Sequence, residues 1–178
     1  MPDIPRLIAR AVEYGMPAFE VARLSYDFSY DPANPRRVAI NSFAHRRILS
    51  DHRHRLVTTP NHDTLYSSAV VDLSAGPATL TVPRFDGRYY SLAFMDAYTN
   101  NFAYIGTRAT GGEGGFYMIV GPGRQIDSQD SPSGRQPIRW PGRDPGPRPY
   151  APVTSRSGKP GRKHYPHSPC RLCPPARP

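Results

Sequence analysis

An α+β domain is what this 178-residue chain predicts: short helices first, then an antiparallel sheet as an incomplete sandwich or barrel, then a disordered tail. Three observations carry that prediction. Apolar residues recur at helical spacing over residues 4–24. After residue 63 the period drops to two, the spacing of a half-buried strand. After Gly123 periodicity stops and proline crowds in.

The first stretch, IPRLIARAVEYGMPAFEVARL, sets Ile4, Leu7, Ile8, Ala11, Val12, Phe19 and Ala22 at helical spacing. Pro17 lacks an amide donor and clashes with the preceding turn, so two helices are expected, 5–15 and 17–25. DFSYDPANPR (27–36) carries Asp-Pro and Asn-Pro and reads as a loop. Residues 36–50 read as a third, less regular helix through Val38, Ile40, Phe43 and Ile48.

Five strands follow: 65–73, 78–82, 88–96, FAYIG (102–106) and FYMIVG (116–121). In 78–82, Ala78, Leu80 and Val82 alternate with Thr79 and Thr81. Turn signals separate them at Ala75-Gly76-Pro77, Phe85-Asp86-Gly87 and Gly111 to Gly115. Short strands so spaced argue for a sandwich or a partly open barrel.

The basic character belongs to the tail. Residues 1–123 hold 12 Arg and no Lys against 11 acidic residues, whereas residues 124–178 hold 11 Lys and Arg against three. The head is near neutral, so no dedicated nucleic-acid surface is expected there; tail binding to nucleic acid stays as an alternative. Both cysteines, Cys170 and Cys173, also lie in the tail, which leaves the head without a thiolate nucleophile or a Cys-ligated metal. Without a lysine before Lys159 the head lacks a phosphate-loop lysine and a Schiff base. No run reaches the ~20 apolar residues of a membrane helix, and no secretory leader is visible, so a cytoplasmic location is expected.

Thr59-Pro60-Asn61-His62-Asp63-Thr64-Leu65-Tyr66-Ser67 opens an ordered series. It continues through Asp72-Leu73, Gly76-Pro77, Val82-Pro83, Gly87-Arg88-Tyr89-Tyr90-Ser91 and Met95-Asp96-Ala97-Tyr98-Thr99-Asn100. Ile105-Gly106-Thr107-Arg108 and Gly121-Pro122-Gly123 complete it, and NSFAH (41–45) adds weaker support upstream. On these residues the chain resembles the bacterial domain-of-unknown-function family 1254. Two departures stand out: His62 where a second Asn is usual, and Arg124 where Trp is typical. Nothing beyond Arg124 matches in this reading. The resemblance implies a longer protein with a companion β-rich domain, family 1214, and relatives that are exported or hydrolytic.

The expected division is therefore a partial family domain at 1–123 and a Pro- and Arg-rich tail at 124–178 read in a shifted frame. GC-rich DNA read out of frame yields Arg, Pro and Gly, and the arginine-only basic usage of the head fits such a gene. As it stands the chain is expected to be inactive, with an unpaired sheet edge that favours aggregation.

Two clusters invite chemistry. Asn61 and Asp63 follow a proline and cap their own backbone in an Asx turn; held at a sheet end, they also suit ligand orientation or proton transfer. Asp96 with Thr99 and Asn100 ends an apolar strand in a polar run, which caps a turn or faces Asp63 as the second of two carboxylates. The hydrolytic reading gives catalysis to Asp63 and Asp96, with Asn61, His62, Tyr66 and Asn100 as ligand contacts. The alternative is a small-molecule or saccharide-binding module using Tyr66, Tyr89, Tyr90 and Tyr98 as amphipathic surfaces. No cofactor or metal is expected. His52-x-His54 lacks a completing carboxylate, and His164, His167, Cys170 and Cys173 crowd four ligands into ten residues broken by prolines.

Overall fold

One helix, not two, opens the chain: α1 runs from Ile4 to Ser29 straight through Pro17. A computed structural model describes residues 2–53, 60–85, 87–124, 135–139, 150–157 and 171–173. Asp3 caps the helix, its carboxylate accepting from the Arg6 amide at 3.3 Å, and Pro5 occupies the first turn, where no donor is needed. Pro17 removes one intrahelical bond, and the helix continues through it while its C-terminal half rests on the sheet. Val21 and Ser25 are buried, and the Tyr14 ring lies 5.3 Å from that of Tyr98. Anchorage on either side of the proline keeps the axis continuous.

That anchorage carries a pH prediction. The hydroxyl contact with Tyr14, its charge and the neighbouring Asp96 hold the Tyr98 phenol above its ordinary value. A raised folded-state value means stability present below the ordinary tyrosine range and lost as pH rises through the raised one. Tyr98→Phe should flatten the alkaline limb of a melting-temperature profile; an unchanged limb would place the dependence elsewhere.

Residues 36–50 are not helical, contrary to their weak periodicity. Asn41 adopts a positive φ of 60° and stitches this segment to the sheet. Its Oδ1 accepts from the Asp72 amide at 2.8 Å and its Nδ2 donates to the Asp72 carbonyl at 3.2 Å. The chain then forms strand β1 (Phe43–His45), and Phe43 packs on the core. Sheet pairing here overrides a marginal helical preference.

The five expected strands are present as β2 (Leu65–Asp72), β3 (Ala78–Val82), β4 (Tyr90–Met95), β5 (Asn101–Gly106) and β6 (Gly115–Val120). Three more, β7 (Arg135–Arg139), β8 (Tyr150–Ser157) and β9 (Arg171–Cys173), come from the segment expected to be disordered. β1-β2-β8-β4-β5 form an antiparallel sheet; β7-β6-β3-β9 form a second, with β7 parallel to β6. The prolines sit where a missing donor is tolerated. Pro137 is in an edge strand, and Pro152 pairs with Val70 one residue beyond the last β8 position paired to β4.

Alternation builds the core between the sheets. Ala78, Leu80 and Val82 of β3, Leu92 and Phe94 of β4, Ile105 of β5 and Tyr117 and Ile119 of β6 share one buried cluster. Val70 points the other way from Val71, is buried outside that cluster, and lies on the strand that α1 crosses. The five-stranded sheet therefore has an inner face in the core and an outer face partly covered by α1.

Candidate functional site

The signature turn is built from its own side chains. The Asn61 amide donates to the Tyr66 hydroxyl at 3.0 Å, and the Asp63 amide donates to Asn61 Oδ1 at 3.2 Å. This is the Asx geometry expected after a proline. Among the described residues Asp63 Oδ1 and Thr64 Oγ1 are nonetheless buried without a hydrogen-bond partner. His62 beside them is exposed.

Asp96 behaves differently. Its Oδ1 accepts from the amides of Tyr98 (2.9 Å) and Asn100 (2.8 Å), and its Oδ2 accepts from Asn100 Nδ2 at 3.1 Å. Asp96 and Asn100 thus close the β4–β5 turn upon themselves, letting Thr99 take a positive φ of 68°. Removing that cap by Asp96→Ala is expected to cost about 1–2 kcal/mol in a denaturant melt, the penalty for unpaired turn amides.

The two carboxylates do not meet. Leu65 is level with Ser157 and Tyr90, and Ala69 with Val153 and Phe94. Asp63 precedes the first row and Asp96 follows the second, so they occupy opposite ends of the sheet, about 25 Å apart along the strands. The expected acid–base pair is corrected: equal strand directions on either side of β8 place one residue at a strand start and the other at a strand end.

A feature the sequence reading missed lies at the Asp63 end of the same sheet. Ser91 pairs with Gly106 on the outer face, and these small residues lie near Tyr89 and Tyr104. They leave an open cleft of about 320 Å³ lined by Tyr89, Ser91, Tyr104, Gly106, Arg108 and Ala109. The Arg108 guanidinium sits over the Tyr89 ring, 5.6 Å from its centroid. Among the described residues no ion pair engages Arg108.

The turn that presents Arg108 is closed by two threonines. Thr107 Oγ1 accepts from the Tyr90 amide at 3.1 Å, while the Thr107 amide donates to the Tyr90 carbonyl. Thr110 Oγ1 accepts from the Gly106 amide at 3.1 Å and from the Tyr117 hydroxyl at 3.2 Å. Tyr66 is level with Arg156 and Ser91, so cleft and signature turn share one sheet end, about 10 Å apart across two strand spacings.

Of the tyrosines expected to form a contact surface, Tyr89 lines the cleft and Tyr66 braces the turn. Tyr90 does neither: it is 1% exposed in the core, stacked 4.3 Å from Phe85, and its hydroxyl donates to the Gly111 carbonyl. Tyr98 lies on the α1 side. The Gly106–Arg108 run was legible as family signature, but its role depends on which residue pairs with Ser91.

Among the described residues no group of three or more His, Cys, Asp or Glu could hold a metal. His54, His164, His167 and Cys170 lie outside them. His45 instead contacts Ser67 Oγ through Nδ1 at 2.7 Å. No helix among the described residues is long and apolar enough to cross a membrane.

No curated protein matches the chain. Among solved structures, the VPA0106 protein of Vibrio parahaemolyticus is similar at a TM-score of 0.57 and 22% identity, over 82% of this chain and 30% of that one. An uncharacterised protein of Burkholderia cenocepacia matches at a TM-score of 0.45 and 16% identity, over 97% of this chain and 43% of its own. This chain thus spans less than half the length of either. The first likeness shows that the fold recurs in a longer protein. The sequence profile of the protein of unknown function DUF1254 matches residues 40–143, beginning just before β1 and running twenty residues past Gly123, where the match was expected to stop. With more than half of its length in that match, the chain belongs to the DUF1254 family.

Proposed function

We propose that the outer face of the five-stranded sheet binds a small ligand carrying a carboxylate, an acidic monosaccharide or a small aryl acid. The supporting observation is Arg108 poised over Tyr89 at the rim of a 320 Å³ cleft beside Tyr104. A guanidinium matches a carboxylate with two parallel hydrogen bonds. Flanking tyrosine faces suit a sugar ring or an arene, and the volume is at the single-ring end of ligand sites. The clamp by Thr107 and Thr110 preorganises the cation and lowers the ordering cost of binding.

Calorimetric titration with a uronic acid, the matching neutral sugar and benzoate tests this. The acids should bind more tightly than the neutral sugar, and Arg108→Ala should weaken them about 10- to 100-fold. Equal affinity for charged and neutral sugars, or an indifferent Arg108→Ala, would remove the proposal.

Asp63 favours a second reading, a hydrolytic one without Asp96. A buried carboxylate oxygen beside a buried hydroxyl, both without a partner among the described residues, suits an acid or base awaiting a polar substrate group. Asp63→Asn would then abolish turnover by the full-length protein and spare ligand affinity; retained turnover would sink it. We also propose that the reading frame changes within the tail, downstream of the family match. Translating the other two frames after codon 143 should reveal further β-periodic sequence in one of them.

A further inference from the structure

The cleft beside Arg108 has walls and a floor of different chemistry. Tyr89 stands two residues before Ser91 at the entrance to β4, and Tyr104 two residues before Gly106 on β5. Ser91 pairs with Gly106 and the strands are antiparallel, so the two tyrosines fall on opposite sides of that pair. Alternation puts all four on the outer face, with the tyrosine Cα atoms about 14 Å apart across a low floor. Tyr89 is 43% exposed and Tyr104 51%, and both line the cleft.

Between those walls the lining is sparing in polar groups. Gly106 has no side chain and Ala109 only a methyl, so Ser91 and Arg108 supply the polar side chains besides the two phenols. Ser91 is half-buried, and its hydroxyl has no hydrogen-bond partner among the described residues. On β8 the residue level with Ser91 is Arg156, a second basic residue in this row. A uronic acid would bring several hydroxyls to such a lining, and a covered hydroxyl without a partner is penalised. A benzene ring needs no such partners, and aromatic neighbours favour it beyond the area it buries. One ring hydroxyl would be met by Ser91, which both donates and accepts. Ser91 lies about 7 Å along the strand from Tyr89, the ring beneath the Arg108 guanidinium. The carboxylate and a meta or para hydroxyl of one benzene ring can bridge that span.

We propose that the ligand of this cleft is a hydroxylated aromatic carboxylate. Its carboxylate meets Arg108, its ring lies between Tyr89 and Tyr104, and its hydroxyl meets Ser91, which becomes the specificity-determining residue. This assignment rests on the carboxylate site proposed above and selects the aryl acid over the sugar.

Calorimetric titration of the full chain with benzoate, 3-hydroxybenzoate, 4-hydroxybenzoate and glucuronate provides the test. At least one hydroxybenzoate should bind about two- to tenfold more tightly than benzoate, the contribution of one hydrogen bond, and glucuronate more weakly than either. Ser91→Ala should bring that hydroxybenzoate down to the affinity of benzoate and leave benzoate itself unchanged. Tyr104→Leu should weaken every aryl acid about two- to tenfold, and Tyr104→Phe should restore them, because the ring makes the contact. No binding by any acid, or binding that ignores Arg108→Ala, removes the carboxylate site and this assignment with it. Other results overturn the assignment alone and leave the carboxylate site standing: Arg108-dependent binding in which hydroxybenzoates only match benzoate, Ser91→Ala changes nothing, or glucuronate equals benzoate.

Discussion

Phe94→Ala is expected to lower stability by about 3–5 kcal/mol, enough to consume most of the margin of a domain this size. Phe94 is fully buried in β4, faces the second sheet, and sits with Phe102 at a ring separation of 6.2 Å. Truncation removes the apolar burial and leaves a cavity between two sheets whose backbones are held by ladders on either side of β4. Neither sheet can collapse into the gap without breaking registers to β5 and β8. For a chain of this length the melting temperature should fall by roughly 10 °C or more. A near-ultraviolet circular dichroism melt measures it. A fall of only a degree or two would mean that the sheets do not close on Phe94.

The second large effect is expected at Gly106, at the floor of the cleft. Its φ is 150°, a region that side chains rarely adopt. A Cβ there would lie inside the envelope of the Tyr90 carbonyl oxygen and 2.8 Å from the Ser91 Cα. Both obstacles are backbone, so no rotamer relieves them. The β4–β5 ladder would have to part at the row where Ser91 pairs with Gly106. Gly106→Ala should therefore cost about 2–4 kcal/mol and displace the Arg108 turn, abolishing the ligand binding proposed above. Gly112→Ala is the control: its nearest foreign atom is the Phe85 carbonyl oxygen at 3.9 Å, and a change within about 0.5 kcal/mol is expected. Equal melting temperatures for the two variants would contradict the close approach of β4 and β5.

Asp63 and Asp96 show how far a single sequence reaches into a site. Their turn chemistry was legible, because Asn and Asp side chains cap amides one to four residues away. Whether they face each other depended on strand order, and a third strand between β2 and β4 put them at opposite ends. The cleft was invisible for a related reason: Ser91, Tyr104 and Arg108 come from two strands and a turn, and only their register makes them neighbours. Pro17 and residues 36–50 failed differently: the helix continued through its proline with Tyr14 against Tyr98 before it and Val21 and Ser25 buried after it, and the weak helical preference of 36–50 yielded to the Asn41 clamp.

By itself the sequence determined the α+β class, five strands with their inward residues, the Asx turn at Asn61 and the family. All of these follow from chemistry within a few residues or from alternation along one strand. Only the tertiary structure decided the single helix, the order of the strands, the separation of the two carboxylates and the cleft. Those depend on long-range pairing, which a one-dimensional pattern does not encode. The same division holds for α1: its sequence specifies apolar residues at helical spacing, and only the sheet decided that Val21 and Ser25 are the ones buried.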